Sequence, residues 1–200
     1  TPPTLANVTS GKIGKSEFEV STGTWKVSEE LVNNKRKGWI ENVVAGFSYT
    51  KSLKAYGTFI FEMYKGASGN QPLLYFISDD KVGTNSYDIQ MNTGALARVM
   101  LHNPANLAYT DTGYVATDSV AYKFAVSRRY DDQFTIYIKG GAYTVWTLVD
   151  VTGGLGTNPI IDTTHTVSSH IVADLDAGDK LRMLGIYEGC LTLGQLEELY

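Results

Sequence analysis

The side chains best equipped for chemistry gather between His102 and Asp118 (HNPANLAYTDTGYVATD). Tyr109 and Tyr114 stand there among Asn103, Asn106, Asp111 and Asp118. Aromatic faces cover the C–H patches of sugars, while carboxamides and carboxylates take the hydroxyls. Tyr109, Asp111, Tyr114 and Asn106 are therefore the candidate carbohydrate-binding residues. The segment reads as a polar loop, and loops on a rigid scaffold often carry binding function. Turn-forming residues also accumulate in any long loop, so a purely structural reading stays open beside this one.

Other chemistries find less support. Hydrolysis of a glycoside needs two carboxylates about 5–9.5 Å apart across the bond. Glu17 and Glu19 share a strand face without a further acid, and Asp88-Ile-Gln-Met-Asn92 holds a single one. His102, His165 and His170 form no pair at i, i+2 or i, i+4, so no zinc site is expected. His170 falls in an expected strand, where a structural role is the simpler one. Cys190 has no neighbouring His or Asp pattern and reads as a small apolar side chain. Gly153-Gly-Leu-Gly156 lacks the Lys-Ser/Thr of a phosphate loop. Calcium has two candidate loops, Asp79, Asp80, Asn85 and Asp88, and Asp174, Asp176 and Asp179; turn chemistry, in which Asp and Asn cap their own loops, is the favoured account of both. The expectation is a chain without catalytic centre, metal or cofactor.

The elements that must position these residues are strands. Phe18 and Val20, then Trp25 and Val27, alternate with polar residues at the period of a half-buried strand. Across Ala55–Tyr64, Ala55, Gly57, Phe59, Phe61 and Met63 form the expected core face, with Tyr56, Thr58, Ile60, Glu62 and Tyr64 opposite. Further runs begin at Gly38, Leu73, Tyr87, Leu96, Val120, Phe134, Tyr143, Val167 and Lys180. Lys139-Gly140-Gly141 reads as a hairpin turn. The result is about twelve strands at sandwich spacing. Two hundred residues, 43% of them apolar, suit one all-β domain. Residues 15–200 are that domain. Residues 1–14, with Pro2, Pro3, Gly11 and Gly14, read as an extended N-terminal arm that docks on a neighbour, or as a plain linker.

A net charge of −4 gives no reason to expect nucleic acid. No stretch approaches the ~20 apolar residues that span a bilayer, so membrane insertion is not expected. A single cysteine excludes an internal disulfide. The start at Thr1 without Met is read as a processed or truncated terminus.

The chain ends on KLRMLGIYEGCLTLGQLEELY. This reads as a strand through Ile186-Tyr187, a turn at Gly189, and a short helix. Thr192 and Gln195 have capping-box spacing. Leu193, Leu196, Leu199 and Tyr200 make one apolar stripe, which must dock because so short a helix is unstable alone. This ending resembles that of laminin-G-like, concanavalin A-like jelly-roll modules. Tyr122-Lys-Phe-Ala-Val-Ser-Arg-Arg129 with Phe134-Thr-Ile-Tyr-Ile-Lys-Gly-Gly141 is similar to their central hairpin, with Lys139 where Asp is more usual. The block Gly153–Lys180 resembles such modules in phage structural proteins.

The resemblance implies an antiparallel two-sheet jelly-roll sandwich with a short C-terminal helix. The fold hosts lectins, glycanases and lyases alike, so it does not fix function. The Glu-x-Asp-x-x-Glu and Glu-x-Asp-x-Glu strand patterns of jelly-roll glucanases are missing. Tyr137-Ile-Lys-Gly-Gly-Ala-Tyr143 is faintly similar to a jelly-roll alginate lyase strand, but the Arg-rich and Gln-Ile-His strands of those enzymes have no counterpart. The expected function is a non-enzymatic virion structural or decoration module on a phage surface. Its partners would be other virion proteins, through the arm, further copies of itself, and host-surface glycans. The alternative is a free carbohydrate-binding module or lectin, and after it a polysaccharide lyase.

Overall fold

The strong alternation of residues 55–64 becomes a central strand in the computed structural model. It describes residues 11–12, 18–32, 35–67, 69–91, 96–103, 108–149 and 160–200, with only the backbone at 11–12, 29–32, 35–37, 96–103 and 108–115. In chain order the strands are β1 (Gly11–Lys12), β2 (Glu19–Val20), β3 (Thr24–Val32), β4 (Lys35–Val44), β5 (Gly46–Lys51), β6 (Gly57–Tyr64), β7 (Leu73–Ser78) and β8 (Ser86–Met91). There follow β9 (Leu96–Asn103), β10 (Ala108–Thr117), β11 (Ala121–Arg128), β12 (Gln133–Gly140), β13 (Tyr143–Leu148), β14 (Ile160–Ile161), β15 (His170–Leu175), β16 (Lys180–Tyr187) and the helix α1 (Leu193–Leu199). Of the expected arm, only Gly11–Lys12 is described, paired to β2; the rest of 1–14 lies outside the described residues.

The strands form two antiparallel sheets. The first runs β1-β2-β5-β15-β7-β8-β9-β10 and the second β13-β12-β11-β6-β16-β4-β3, with β14 on β12. The two late strands enter the middle of the sheets. β15 lies between β5 and β7, and β16 between β6 and β4. This interleaving of chain ends makes the jelly roll.

The core lies between the sheets and obeys the period of two. Phe59, Phe61 and Met63 of β6 meet Phe76 of β7, Tyr87 of β8, and Phe124 and Val126 of β11. Phe61 and Phe124 stack with centroids 5.4 Å apart. The opposite face of β6 is buried as well: Ile60, with Ala125 and Trp146, lies beneath Leu196 of α1. Beside them Arg182 pairs with Glu62 and covers the Trp39 ring at 4.3 Å. The second sheet is therefore closed on both sides.

Thr192 caps α1 as its spacing predicts: Gln195 N–H donates to Thr192 Oγ1, and Thr192 N–H to Gln195 Oε1. The apolar stripe is narrower than expected. Leu196 is buried and Tyr200 packs partly buried beside it, whereas Leu193 and Leu199 are exposed, because a seven-residue helix touches the sheet at little more than one turn. The expected turn at Lys139-Gly140-Gly141 is present, tightened by Gly140 and Gly141 at positive φ. A Cβ on Gly141 would lie 2.4 Å from the Tyr122 hydroxyl, so glycine is required there.

Candidate functional site

With α1 and the Arg182–Trp39 layer over the second sheet, the outer face of the first sheet remains, sheltered in its middle and accessible towards β5. Antiparallel pairing puts directly opposed residues on one face, and here the register builds two rows across it. In the first row Glu19, Tyr49, Val172, Tyr75, Asp88, His102 and Tyr109 stand opposite one another from β2 to β10. The second runs Phe47, Asp174, Leu73, Gln90, Met100 and Asp111.

Two of the four sequence candidates thus end these rows. Tyr109 opposes His102 and Asp111 opposes Met100. The segment holding them is not a loop: most of it is β10, hydrogen-bonded to β9. Asn and Asp signalled a loop, but sheet pairing overrides such local preference where a partner strand is available. Tyr114 falls in the irregularity between Asp111 and Val115. Asn106 lies outside the described residues.

The middle of the face is a sheltered polar seam. Asp88 is 0% and Gln90 2% exposed although both point away from the core. Gln71 Nε2 donates to Gln90 Oε1, and Gln90 Nε2 donates to Asp88 Oδ1 at 3.2 Å. The Asp79–Asn85 loop folds back over this region. Gly83 sits on the Tyr75 ring, where a Cβ would come within 2.6 Å of ring carbons, and its φ of +76° suits glycine. Asp80 holds the loop by accepting N–H bonds from Val82 at 2.9 Å and Gly83 at 2.6 Å. Burial opposes its charge, but those bonds and that of Thr84 outweigh it and keep the carboxyl below its usual range. The Asp79–Asn85 acids thus serve turn chemistry. Asp179 does the same at the other loop, accepting from Gly66 N–H and the Asn70 amide, both at 2.7 Å. Among the described residues no three His, Cys, Asp or Glu are grouped to share a metal ion.

At the β5–β15 end the face is accessible. Tyr49 meets His170 edge-on with centroids 5.5 Å apart, and Lys81 Nζ lies 4.7 Å from the Tyr49 ring centre. Tyr49 Oη donates to Glu19 at 3.1 Å. Burial, then Lys81 and Lys51, push the His170 pKa down. This end combines an aromatic ring, with the Lys81 ammonium over one face, and a carboxylate at its hydroxyl edge.

Asp174 titrates unusually. Burial first, then Asp176, Asp88 and Asp179, raise it to about 6, and burial raises Asp179 to about 6 as well. Between roughly pH 4 and 6 the folded chain holds protons that the unfolded chain has released. Stability contributed by these groups is therefore complete below about pH 4 and lost as pH rises through 6. Asp174→Asn, which mimics the protonated acid, is expected to flatten that decline and to raise the melting temperature at pH 7.5. Thermal melts across pH 4–8 check it, and an unchanged pH slope contradicts the assignment.

Tyr49, Tyr75, Asp88, Gln90 and Asp174 were not singled out as a binding set from sequence. A signal existed: Asp88-Ile-Gln-Met alternates polar with apolar, and His170 and Asp174 flank an apolar run on a strand that faces the core. What joins them into rows is the pairing of β7 with both β15 and β8, which spans about a hundred residues of sequence.

No family model matches this sequence, and no curated protein matches it. Solved structures do. The carbohydrate-binding module CBM66 from Bacillus subtilis is similar with a TM-score of 0.54 at 14% identity, over 88% of this chain and 96% of that one. A Bacillus licheniformis beta-glucanase gives 0.46 at 12% identity, covering 92% and 96%. At such identity the likeness to the first module concerns the fold, a concanavalin A-like jelly-roll sandwich.

Proposed function

We propose that this chain is a non-enzymatic carbohydrate-recognition module that binds glycans on the outer face of the first sheet. The observation that carries the reading is the register row from Tyr49 to Tyr109, an aromatic residue near each end with a polar seam between. Tyr49 supplies a ring with His170 and Lys51 beside it, and the register sets Tyr109 and Asp111 at the far ends of the two rows. A rigid sheet holds these groups in place, so little side-chain freedom is lost on binding.

The non-enzymatic part has its own support. Asp88 and Asp174 are the carboxylates of the central seam. Asp88 is fully buried and accepts from Gln90, out of reach of a glycosidic bond. The strand β7 separates it from Asp174. Depolymerisation of any glycan by the purified chain would overturn this part.

A virion surface is the setting we propose, with the chain as a decoration module contacting other virion proteins and its own copies. The resemblance of Gly153–Lys180 to modules of phage structural proteins supports it. Capsid or tail genes beside this one, and the chain in purified particles by mass spectrometry, are the expected observations.

Glycan recognition is tested on an array with the isolated chain. Tyr49→Ala and Tyr109→Ala are each expected to weaken a reproducible hit about tenfold, since aromatic contacts are worth roughly 0.5–1.5 kcal/mol beyond their buried area. A blank array, or binding indifferent to both changes, contradicts the proposal.

A further inference from the structure

We propose a second carbohydrate subsite at the end of the sandwich, built around Tyr130 and selective for a neutral hexose unit. It does not depend on the reading of the sheet face, because other elements form it.

Tyr130 lies in the turn between β11 and β12 and is 83% exposed. A large ring standing this far out of the protein is expected to lie loosely, yet this one is fixed from behind. It stacks on Tyr56 with centroids 5.0 Å apart and planes 28° from parallel. The Arg128 guanidinium lies 4.7 Å from the Tyr56 ring centre and is itself fully buried. Arg128 pairs with Asp132 at 2.6 Å, and Tyr56 Oη donates to the same carboxylate at 3.3 Å. The layers Arg128, Tyr56 and Tyr130 make a prepaid aromatic platform with its outer face free.

Beside the platform is a cleft of about 360 Å³, walled by Arg129 and Asp131 on one side and by Glu188, Gly189 and Cys190 on the other. This volume falls within the ~300–1,000 Å³ of ordinary ligand sites. The second wall is anchored: Thr58 Oγ1 donates to the Gly189 carbonyl at 2.8 Å and accepts from Leu191 N–H at 2.9 Å. Gly57 allows that close approach, since a Cβ there would lie 2.1 Å from the Tyr187 carbonyl oxygen.

The rim chemistry names the ligand class. Arg129 pairs with Asp131 at 3.0 Å, and Lys54 with Glu188 at 2.5 Å. Arg129 and Asp131 of the lining pair with each other, and Glu188 pairs with Lys54 outside it, so a neutral sugar needs no charged partner here. A guanidinium donates to sugar hydroxyl oxygens and carboxylates accept from hydroxyl hydrogens. One neutral hexose ring laid on Tyr130, with its hydroxyls toward Arg129, Asp131 and Glu188, uses every group present.

Cys190, the only cysteine of the chain, is exposed on the cleft wall and reports occupancy directly. The rate of its alkylation by iodoacetamide at pH 8.5 would be measured with and without hexasaccharides of glucose, mannose, galactose or fructose. At least one is expected to slow alkylation about fivefold or more. Tyr130→Ala, an exposed change that leaves the melting curve near wild type, is expected to abolish the protection. Tyr130→Phe keeps the ring and should keep it, and Tyr49→Ala, on the other face, should leave it untouched. Absence of protection by all four sugars, or protection that survives Tyr130→Ala, overturns the proposal. Loss of array binding in Tyr49→Ala with Cys190 protection intact separates this subsite from the sheet-face site.

Discussion

Arg128→Met is expected to destabilise the fold by about 3–5 kcal/mol, the usual cost of removing one partner from a buried ion pair. Arg128 is 0% exposed and joins three layers of the structure. Its guanidinium lies 4.7, 5.0 and 5.1 Å from the ring centres of Tyr56, Tyr87 and Phe134. It donates to the carbonyls of His165 and Asp162 and pairs with Asp132, whose side chain is 18% exposed. Methionine fills the stem but leaves the Asp132 charge without its partner and both carbonyls without this donor. Tyr87 Oη donates to Asp162 Oδ1 at 2.6 Å, so the 162–165 segment is expected to loosen as well. Arg128→Lys keeps the charge without the planar fork and should fall between the two. Urea denaturation is the measurement, with the midpoint falling at unchanged slope. A midpoint within error of wild type contradicts this account.

Leu196→Ala ranks next, at about 2–5 kcal/mol. Leu196 is the buried side chain of α1, set against Ile60, Ala125 and Trp146. Trp146 Nε1 donates to the Leu196 carbonyl at 3.1 Å, and Tyr200 Oη to the Leu184 carbonyl at 2.9 Å. Truncating Leu196 opens a void at the point where the helix meets the sheet, and a helix of under two turns cannot persist undocked. Leu193→Ala and Leu199→Ala, at exposed positions, should cost well under 1 kcal/mol. Equal effects from all three would mean that the helix packs differently. The comparison distinguishes docking through one residue from docking through a stripe.

Arg128 shows how much was readable and where reading stopped. Tyr122, Phe124, Val126 and Arg128 occupy alternate positions of one strand, so the period alone places the arginine on the core face. Residue type argues the other way, because arginine seldom enters a core without partners. Asp132 and Phe134 lie close in sequence, but the other partners come from residues 56, 87, 162 and 165, and nothing local announces those. The same holds for α1. Its cap was legible at Thr192 and Gln195 because capping is local chemistry. The silence of Leu193 and Leu199 was not, since it depends on the shape of the sheet beneath.

The binding residues divide in the same way. Tyr109 and Asp111, which residue type singles out, stand at the ends of the register rows, although on a strand and not in the expected loop. Tyr49, Tyr75, Gln90 and Tyr130 were not found, because each is an ordinary strand or turn residue until its neighbours are known.

The sequence by itself determined the class of the fold: strands from a period of two, turns from glycine and Asp/Asn, the terminal cap from Thr192 and Gln195. These are short-range effects, decided by bonds and sterics within a few residues. Tertiary structure alone decided the order of the strands, with β15 and β16 placed between strands made about a hundred residues or more earlier. That order aligns Tyr49, Asp88 and Tyr109 in one row and sets Arg128 behind Tyr56 and Tyr130. The reason is physical: hydrogen bonding between backbones is the same for every pair of strands, so only the joint burial of side chains in the finished sandwich selects which strands meet.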